Sequence, residues 1–242
     1  MTQLRVSGLS VRFGGLSALS DVSFAVDAGE IIGLIGPNGA GKTTLFSTLV
    51  GLQKPTAGQV FLDGRRLDGA RPHVVAKAGM TKTFQNTALF PDMTLVENVT
   101  TAALLRHPLH EAQRVAHECL ERVGLGNVAN AQADDLTFPQ KALGEVARAL
   151  ATRPRVLLLD EVMAALTPLE MDSVMATLRD LRATTNLTLI VVEHHMRAIM
   201  KLSERLLVLN FGRLIADGEP SKVARDEQVI KAYLGSEHAQ VA

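Results

Sequence analysis

Nine consecutive residues carry the clearest chemistry in the chain: Gly36, Pro37, Asn38, Gly39, Ala40, Gly41, Lys42, Thr43 and Thr44. Gly36, Gly41, Lys42 and Thr43 fill the fixed positions of G-x-x-x-x-G-K-[ST], the spacing of a phosphate-binding loop. Glycines let the backbone curl so that several N–H groups point inward as an anion nest. A helix N-terminus behind them adds partial positive charge. In such a loop Lys42 reaches the β- and γ-phosphates, and the Thr43 hydroxyl holds Mg2+. A second cluster ends the apolar run Val156-Leu157-Leu158-Leu159 with Asp160 and Glu161. Asp160 suits Mg2+ held through water, and Glu161 suits a base that polarises a water aimed at the γ-phosphate. A carboxylate adjoining the Mg2+ acid fits hydrolysis better than transfer to an acceptor. No guanine-selective N-K-x-D motif occurs, which argues against a GTPase.

The elements that must position these groups are legible as periodicity. Ile31–Ile35 reads as a buried parallel strand before the loop, and Thr44–Val50 as a helix after it. Uninterrupted apolar runs at Val156–Leu159 and Leu187–Val192 read as strands buried on both faces. Acids at the carboxyl end of such a strand lie where open α/β sheets place their ligands. Leu4, Val6 and Leu9, then Val22, Phe24 and Val26, alternate as antiparallel strands do, with a turn at Gly14-Gly15. Phe13, just before that turn, is either core or a flat face for a nucleotide base.

Helical spacing dominates residues 95–150, through Leu95, Val99, Ala102 and Leu105, then Val115, Cys119, Leu120 and Val123. Thr94 with Glu97, Thr137 with Gln140 and Thr167 with Glu170 have helix-start spacing. Pro139 sits in a first turn, where its missing N–H costs the helix nothing. Leu169, Val174, Leu178 and Leu181 are expected to form a buried stripe. Leu206–Leu209 and Arg213–Ala216 predict a hairpin, and Pro220–Leu234 one or two closing helices. His107, His110 and His117 read as part of a solvated helix pair rather than a metal site, since no Cys or carboxylate completes a ligand set.

Bulk properties narrow the class. The chain has 242 residues, 47% hydrophobic and 21% charged, as ordinary globular domains do. Lys+Arg and Asp+Glu balance at 25 each, so no net field draws the chain to nucleic acid. A single cysteine, Cys119, excludes an internal disulfide. The first residues do not read as a signal peptide, and no apolar run approaches the roughly 20 residues of a membrane span.

With these motifs in place, the chain resembles ABC-transporter ATP-binding subunits along nearly its whole length. The resemblance includes Gln85 in Thr83-Phe84-Gln85-Asn86 as the Q-loop and Leu136–Gln140 at the L-S-G-G-Q signature. It also includes Asp160-Glu161, and His194 after a strand as the switch histidine. It is closest in form to branched-chain amino-acid (Liv-type) and related amide or urea importers. That rests on Arg12-Phe13-Gly14-Gly15-Leu16, Lys82–Pro91, Val191–Met196 and Val229–Gly235. The Arg-Phe-Gly-Gly form looks like the longer of the two ATPases such importers carry, although the segment before the signature is shorter than usual there.

The resemblance implies an α/β P-loop ABC ATPase fold with a RecA-like mixed sheet core, an antiparallel β subdomain and a helical subdomain. Residues 1–236 would form one domain: 1–85 with 151–219 as nucleotide-binding core, 86–150 as helical subdomain carrying the signature, and 220–236 as C-terminal helices, before a tail at 237–242. ATP and Mg2+ would be the cofactors. Two ATPase subunits would pack head to tail, each nucleotide lying between one phosphate loop and the other subunit's signature, where Thr137 and Gln140 contribute. Phe13 would stack on adenine. Gln85 would touch Mg2+ and the attacking water, and His194 would hold the γ-phosphate. Partners would be two membrane permeases, a second ATPase in a hetero- or homodimer and, indirectly, a solute-binding protein, with no nucleic acid. The place would be the cytoplasmic face of the inner or plasma membrane.

Three departures stand out. Phe138 and Pro139 replace the two signature glycines, and proline has no N–H to offer a partner's γ-phosphate. Val162 replaces the usual proline after Asp-Glu, and Thr167 the D-loop acid or amide. These keep open a second reading, a weakly catalytic or regulatory partner subunit in an asymmetric heterodimer. A third reading, a soluble ABC ATPase of DNA repair or translation, lacks the coiled-coil inserts or tandem units that class carries.

Overall fold

The computed structural model describes residues 1–84 and 88–238, without the side chains of 234–238. In chain order its first elements are β1 (Thr2–Phe13), β2 (Leu16–Asp27), β3 (Ile31–Ile35), α1 (Lys42–Leu49), β4 (Ala57–Leu62), β5 (Arg65–Arg66), α2 (Pro72–Ala78) and β6 (Met80–Lys82). Then come α3 (Leu95–Ala103), α4 (Leu109–Arg122), α5 (Phe138–Leu150), β7 (Val156–Asp160), α6 (Pro168–Thr185) and β8 (Thr188–Val192). The chain closes with α7 (Met196–Leu202), β9 (Arg205–Asn210), β10 (Arg213–Gly218), α8 (Pro220–Val223) and α9 (Glu227–His238). Two compact units result, one of residues 1–72 with 190–242, the other of residues 73–189.

In the first unit, β2-β1-β4-β5 form an antiparallel sheet. The alternation seen in sequence becomes its inner face, where Leu4, Leu9, Val11, Leu19, Val22 and Val26 are fully buried. Burying each such side chain is worth about 1.5–3 kcal/mol. β3 pairs parallel with β9, which turns back antiparallel into β10. All five residues of β3 are buried, as a strand covered on both faces requires. Arg205 locks the start of β9, donating to Glu30, Asp217 and the Ala25 carbonyl.

In the second unit, β7 runs parallel to β6 in the register Met80↔Val156, and every residue of β7 is buried. The helices start where the sequence says. Thr94 and Glu97, and likewise Thr167 and Glu170, exchange hydrogen bonds as full capping boxes. The fully buried Asn98 amide accepts from the Phe90 N–H and donates to the carbonyls of Phe90, Met93 and Thr94, fixing the loop that enters α3. Arg106 donates to the carbonyls of Ala76 and Lys77 at the end of α2 and to that of Thr152. Carbonyls in the last turn of a helix lack intrahelical donors, and the Ala76 carbonyl also accepts from the Gly79 N–H.

The fold class is the one expected: a mixed sheet, an antiparallel sheet and helices. Two stripe assignments need correction. Leu169 is 81% exposed, because it stands in the first turn of α6 before the helix packs; Met171, Val174, Met175, Leu178 and Leu181 form the buried stripe. α3 stops at Ala103, so its buried face is Leu95, Val99 and Ala103, with Ala102 half-buried and Leu105 beyond the helix. His107 pairs through Nδ1 with Glu111 Oε1 at 3.0 Å.

Truncating Leu157 in β7 to Ala should cost about 2–5 kcal/mol in urea unfolding, whereas Leu169→Ala should change stability by less than about 0.5 kcal/mol. Burial pushes the Cys119 thiol up to about 11. Since only the thiolate attacks, native protein at pH 8 should react with a thiol reagent at least about 100-fold more slowly than urea-unfolded protein.

Candidate functional site

Residues 36–41 leave β3 and deliver the chain into α1. Gly36 has φ +152°, and a Cβ there would stand 2.1 Å from the Leu209 carbonyl oxygen. At Gly41, φ is +105° and a Cβ would meet the Ala18 carbonyl at 2.7 Å. Only glycine satisfies both the left-handed backbone and the missing space. The loop is tied from within by the Ala40 N–H on the Pro37 carbonyl, and from the β9–β10 turn by the Gly212 N–H on the Ala40 carbonyl.

The resulting mouth is electropositive for three local reasons. α1 begins with no side-chain cap on its N–H groups and with no acid in its first turn. The Lys42 side chain is buried, and its ammonium curls back to the carbonyls of Gly36 (2.6 Å) and Pro37 (3.1 Å). Asn38, Gly39 and Thr43 face solvent. A charge held on its own loop's carbonyls can be transferred to an incoming phosphate with little reorganisation.

Phe13, at the end of β1, is 48% exposed. It is therefore not a core residue, and its ring is free to stack. His194, two residues after β8, is exposed. On α9, which the sequence assigned no chemical role, Tyr233 is a half-buried phenol whose oxygen accepts from the Gly36 backbone. Burial pushes its ionisation up, and that hydrogen bond opposes the shift. Nothing in the spacing of Tyr233 could have linked it to Gly36, almost 200 residues away.

In the second unit, β7 ends at Asp160. Its carboxylate is 1% exposed and takes a hydrogen bond at Oδ2 from Lys82 Nζ at 3.2 Å. Its backbone N–H donates to Thr83 Oγ1. Asp160 Oδ1 is buried and has no hydrogen-bond partner among the described residues. An unpartnered buried carboxylate oxygen is costly unless a ligand completes it. Glu161 follows with φ +54°, a strained value for a non-glycine residue, which turns the chain sharply out of the strand and leaves the carboxylate half-buried.

Gln85 lies outside the described residues. The chain on either side of it is held by α5. The buried Glu145 accepts from the Ala88 N–H at 2.7 Å, and Arg148 donates to Glu145 and to the Ala88 carbonyl. Arg148 and Lys82 both lie over the Phe84 ring, 5.9 and 5.4 Å from its centroid. Burial pushes the Glu145 carboxyl up, against the pull of Arg148. Two charges, Glu145 and Arg148, in an apolar helix stripe are the only sequence signal of this pair, and it is a weak one.

Thr137 is the N-cap of α5, with Phe138 67% exposed and Pro139 in the first turn. Gln140 Oε1 accepts from the Thr137 N–H at 2.9 Å. That amide oxygen is thus engaged in capping, while Thr137 itself is exposed.

A family model of the ABC transporter matches residues 19–164, and one of the branched-chain amino acid ATP-binding cassette transporter matches residues 213–239. The high-affinity branched-chain amino acid transport ATP-binding protein BraF of Pseudomonas aeruginosa is 41% identical, over 96% of this chain and 97% of that protein. LivG of Salmonella typhimurium, of the same description, is 40% identical over 96% and 97%. A nucleotide-free ATP-binding cassette from an ABC transporter superposes with TM-score 0.89 at 26% identity, over 96% of this chain and 99% of that one. A dimeric cassette in a post-hydrolysis state, bound to ADP and Pi, gives 0.79 at 26% identity, over 90% and 98%. The chain belongs to the ABC transporter family. It is an ATP-binding subunit of that family, and its activity is ATP hydrolysis.

Gly36→Ala should unfold the loop, lowering stability and abolishing nucleotide binding, because the Cβ strikes backbone. Gly39→Ala, at φ +77° but with nothing within 4 Å, should cost only about 1–2 kcal/mol and keep the fold. Urea unfolding with a fluorescent ATP analogue reads both.

Proposed function

We propose that this subunit energises the import of branched-chain amino acids or a related small amide or urea-type solute. The observation behind this is similarity to BraF and LivG across almost the full length of both chains. Among the described residues no helix is long and apolar enough to cross a membrane. The subunit works at the cytoplasmic face of the membrane, attached through two permease subunits, with a solute-binding protein upstream. It forms a dimer with a second ATPase subunit, as the dimeric cassette does with its own copy.

Each residue has an assigned part. Residues 36–44 hold the phosphates, with Lys42 on the β- and γ-phosphates, and Phe13 stacks on the base. Thr43, Gln85 and Asp160 serve Mg2+, which neutralises phosphate charge when bound. The orphaned Oδ1 of Asp160 and the exposed hydroxyl of Thr43 suit a hard cation that prefers oxygen and keeps its waters. Glu161 accepts the proton of the attacking water, and His194 holds the γ-phosphate. Thr137 and Gln140 face a partner's nucleotide. Residues 86–150 act as the helical subdomain of a single ATPase domain.

The departures at Phe138 and Pro139 divide labour between the two sites of a heterodimer. The site formed by this chain's phosphate loop and its partner's signature is the faster one. The full-length similarity to transport ATP-binding proteins favours a catalytic subunit over a purely regulatory one.

Glu161→Gln should keep ATP binding and lose turnover by about 10²-fold or more. Unchanged turnover removes Glu161 from its role. Pro139→Gly restores an N–H worth about 1.5–3 kcal/mol, so ATPase of the assembled transporter should rise at the slow site. No rise contradicts the asymmetry. Cells lacking this chain should lose uptake of labelled leucine, isoleucine or valine; undiminished uptake of all three overturns the solute assignment.

A further inference from the structure

Asp160 carries a cation already. Lys82, the last residue of β6, sits beside the carboxyl end of β7 because the two strands run parallel in the register Lys82↔Leu158. Its ammonium lies 3.2 Å from Asp160 Oδ2, with side-chain exposures of 9% and 1%. Among the described residues its ammonium has no other hydrogen bond or ion pair, only the contact with the exposed Phe84 ring. On the other side of the same carboxylate, Oδ1 is buried and, among the described residues, unpartnered.

We propose that Lys82 is a resident counter-ion for Asp160 that stands in for Mg2+ and must yield when the metal arrives, so that it sets the subunit's Mg2+ requirement. The inference rests on the reading that Asp160 serves Mg2+. A buried carboxylate left without a partner is strongly destabilising, and pairing offsets part of that cost. Lys82 therefore keeps β6 and β7 in register while no metal is bound. Mg2+ brings two further positive charges to the same acid, where water is scarce and like charges repel strongly. Lysine suits this exchange better than arginine. Its compact ammonium sits on a flexible four-carbon stem and makes a single-point contact, not a bidentate fork. The Phe84 ring, already 5.4 Å from the ammonium and shared with Arg148, keeps a face for the charge when it leaves the carboxylate.

The test follows binding of a fluorescent, non-hydrolysable ATP analogue to the purified full chain as MgCl2 is raised. Lys82→Gln should lower the Mg2+ concentration at half-maximal binding by at least about threefold. Its melting temperature should fall in EDTA and recover with Mg2+ and nucleotide. Lys82→Arg, which keeps the charge, should not lower the midpoint. An unchanged or raised midpoint in Lys82→Gln overturns the proposal. Should that variant not fold, wild-type protein decides the matter. Acylation of the Lys82 amine, read by peptide mass spectrometry with the analogue present, should be faster in MgCl2 than in EDTA; an equal or slower rate overturns it. Asp160→Asn separates the two ideas. If it keeps the wild-type Mg2+ midpoint, the Asp160 reading fails. If it loses the Mg2+ dependence while Lys82→Gln leaves the midpoint in place, only the Lys82 proposal fails.

Discussion

No side-chain atom fits between Gly36 and the carbonyl of Leu209, or between Gly41 and that of Ala18. That contact constrains the first unit more than any ion pair does. The loop can carry inward-facing N–H groups only if the backbones of β2 and β9 approach closely, and they approach only because no Cβ intervenes. The strands that bring them there owe their places to burial: β3 is sealed on both faces, and β9 is locked by Arg205 to Glu30 and Asp217. The anion site is thus a consequence of backbone packing. Lys42 adds charge to a cradle already built.

In the second unit the governing quantity is the buried negative charge of Asp160. Asp160 is buried, paired at Oδ2 with Lys82 and, among the described residues, unpartnered at Oδ1. Next to it, Glu161 holds a left-handed conformation that few residues adopt without reason. Strain at that position is consistent with a carboxylate aimed by the backbone. By contrast, the start of α5 is chemically poorer than the family pattern, since Pro139 offers no N–H and Gln140 caps Thr137. On the proposed reading the chain is strong in its own phosphate loop and acids and weak in what it would give a partner.

Much of this was legible in sequence because the signals were local. The glycine spacing, the unbroken run before Asp160 and the cap pairs at Thr94 and Thr167 depend on neighbours within a few residues, and the structure forms them as expected. What escaped was non-local or depended on packing direction. Tyr233 against Gly36, Lys82 against Asp160 and the Glu145–Arg148 hold on Ala88 join residues that no period connects. Leu169 misled because helical spacing does not say where along a helix burial begins. The roles proposed for Gln85 and the signature residues rest on resemblance: the one lies outside the described residues, and the others would act on a second subunit.

The account holds above all that the phosphate loop of this chain binds ATP through Lys42. Its ammonium is now shared between two loop carbonyls and is replaceable there by solvent. Toward a triphosphate it makes charge-assisted hydrogen bonds, worth about 1.5–3 kcal/mol, or roughly 10–150-fold in affinity. The deciding measurement is the dissociation constant of a fluorescent ATP analogue for Lys42→Ala beside wild type, with urea unfolding to confirm that both are folded. The account predicts at least a tenfold weakening, about 1.4 kcal/mol, in a protein that still unfolds cooperatively. Equal affinity in the two folded proteins would contradict it.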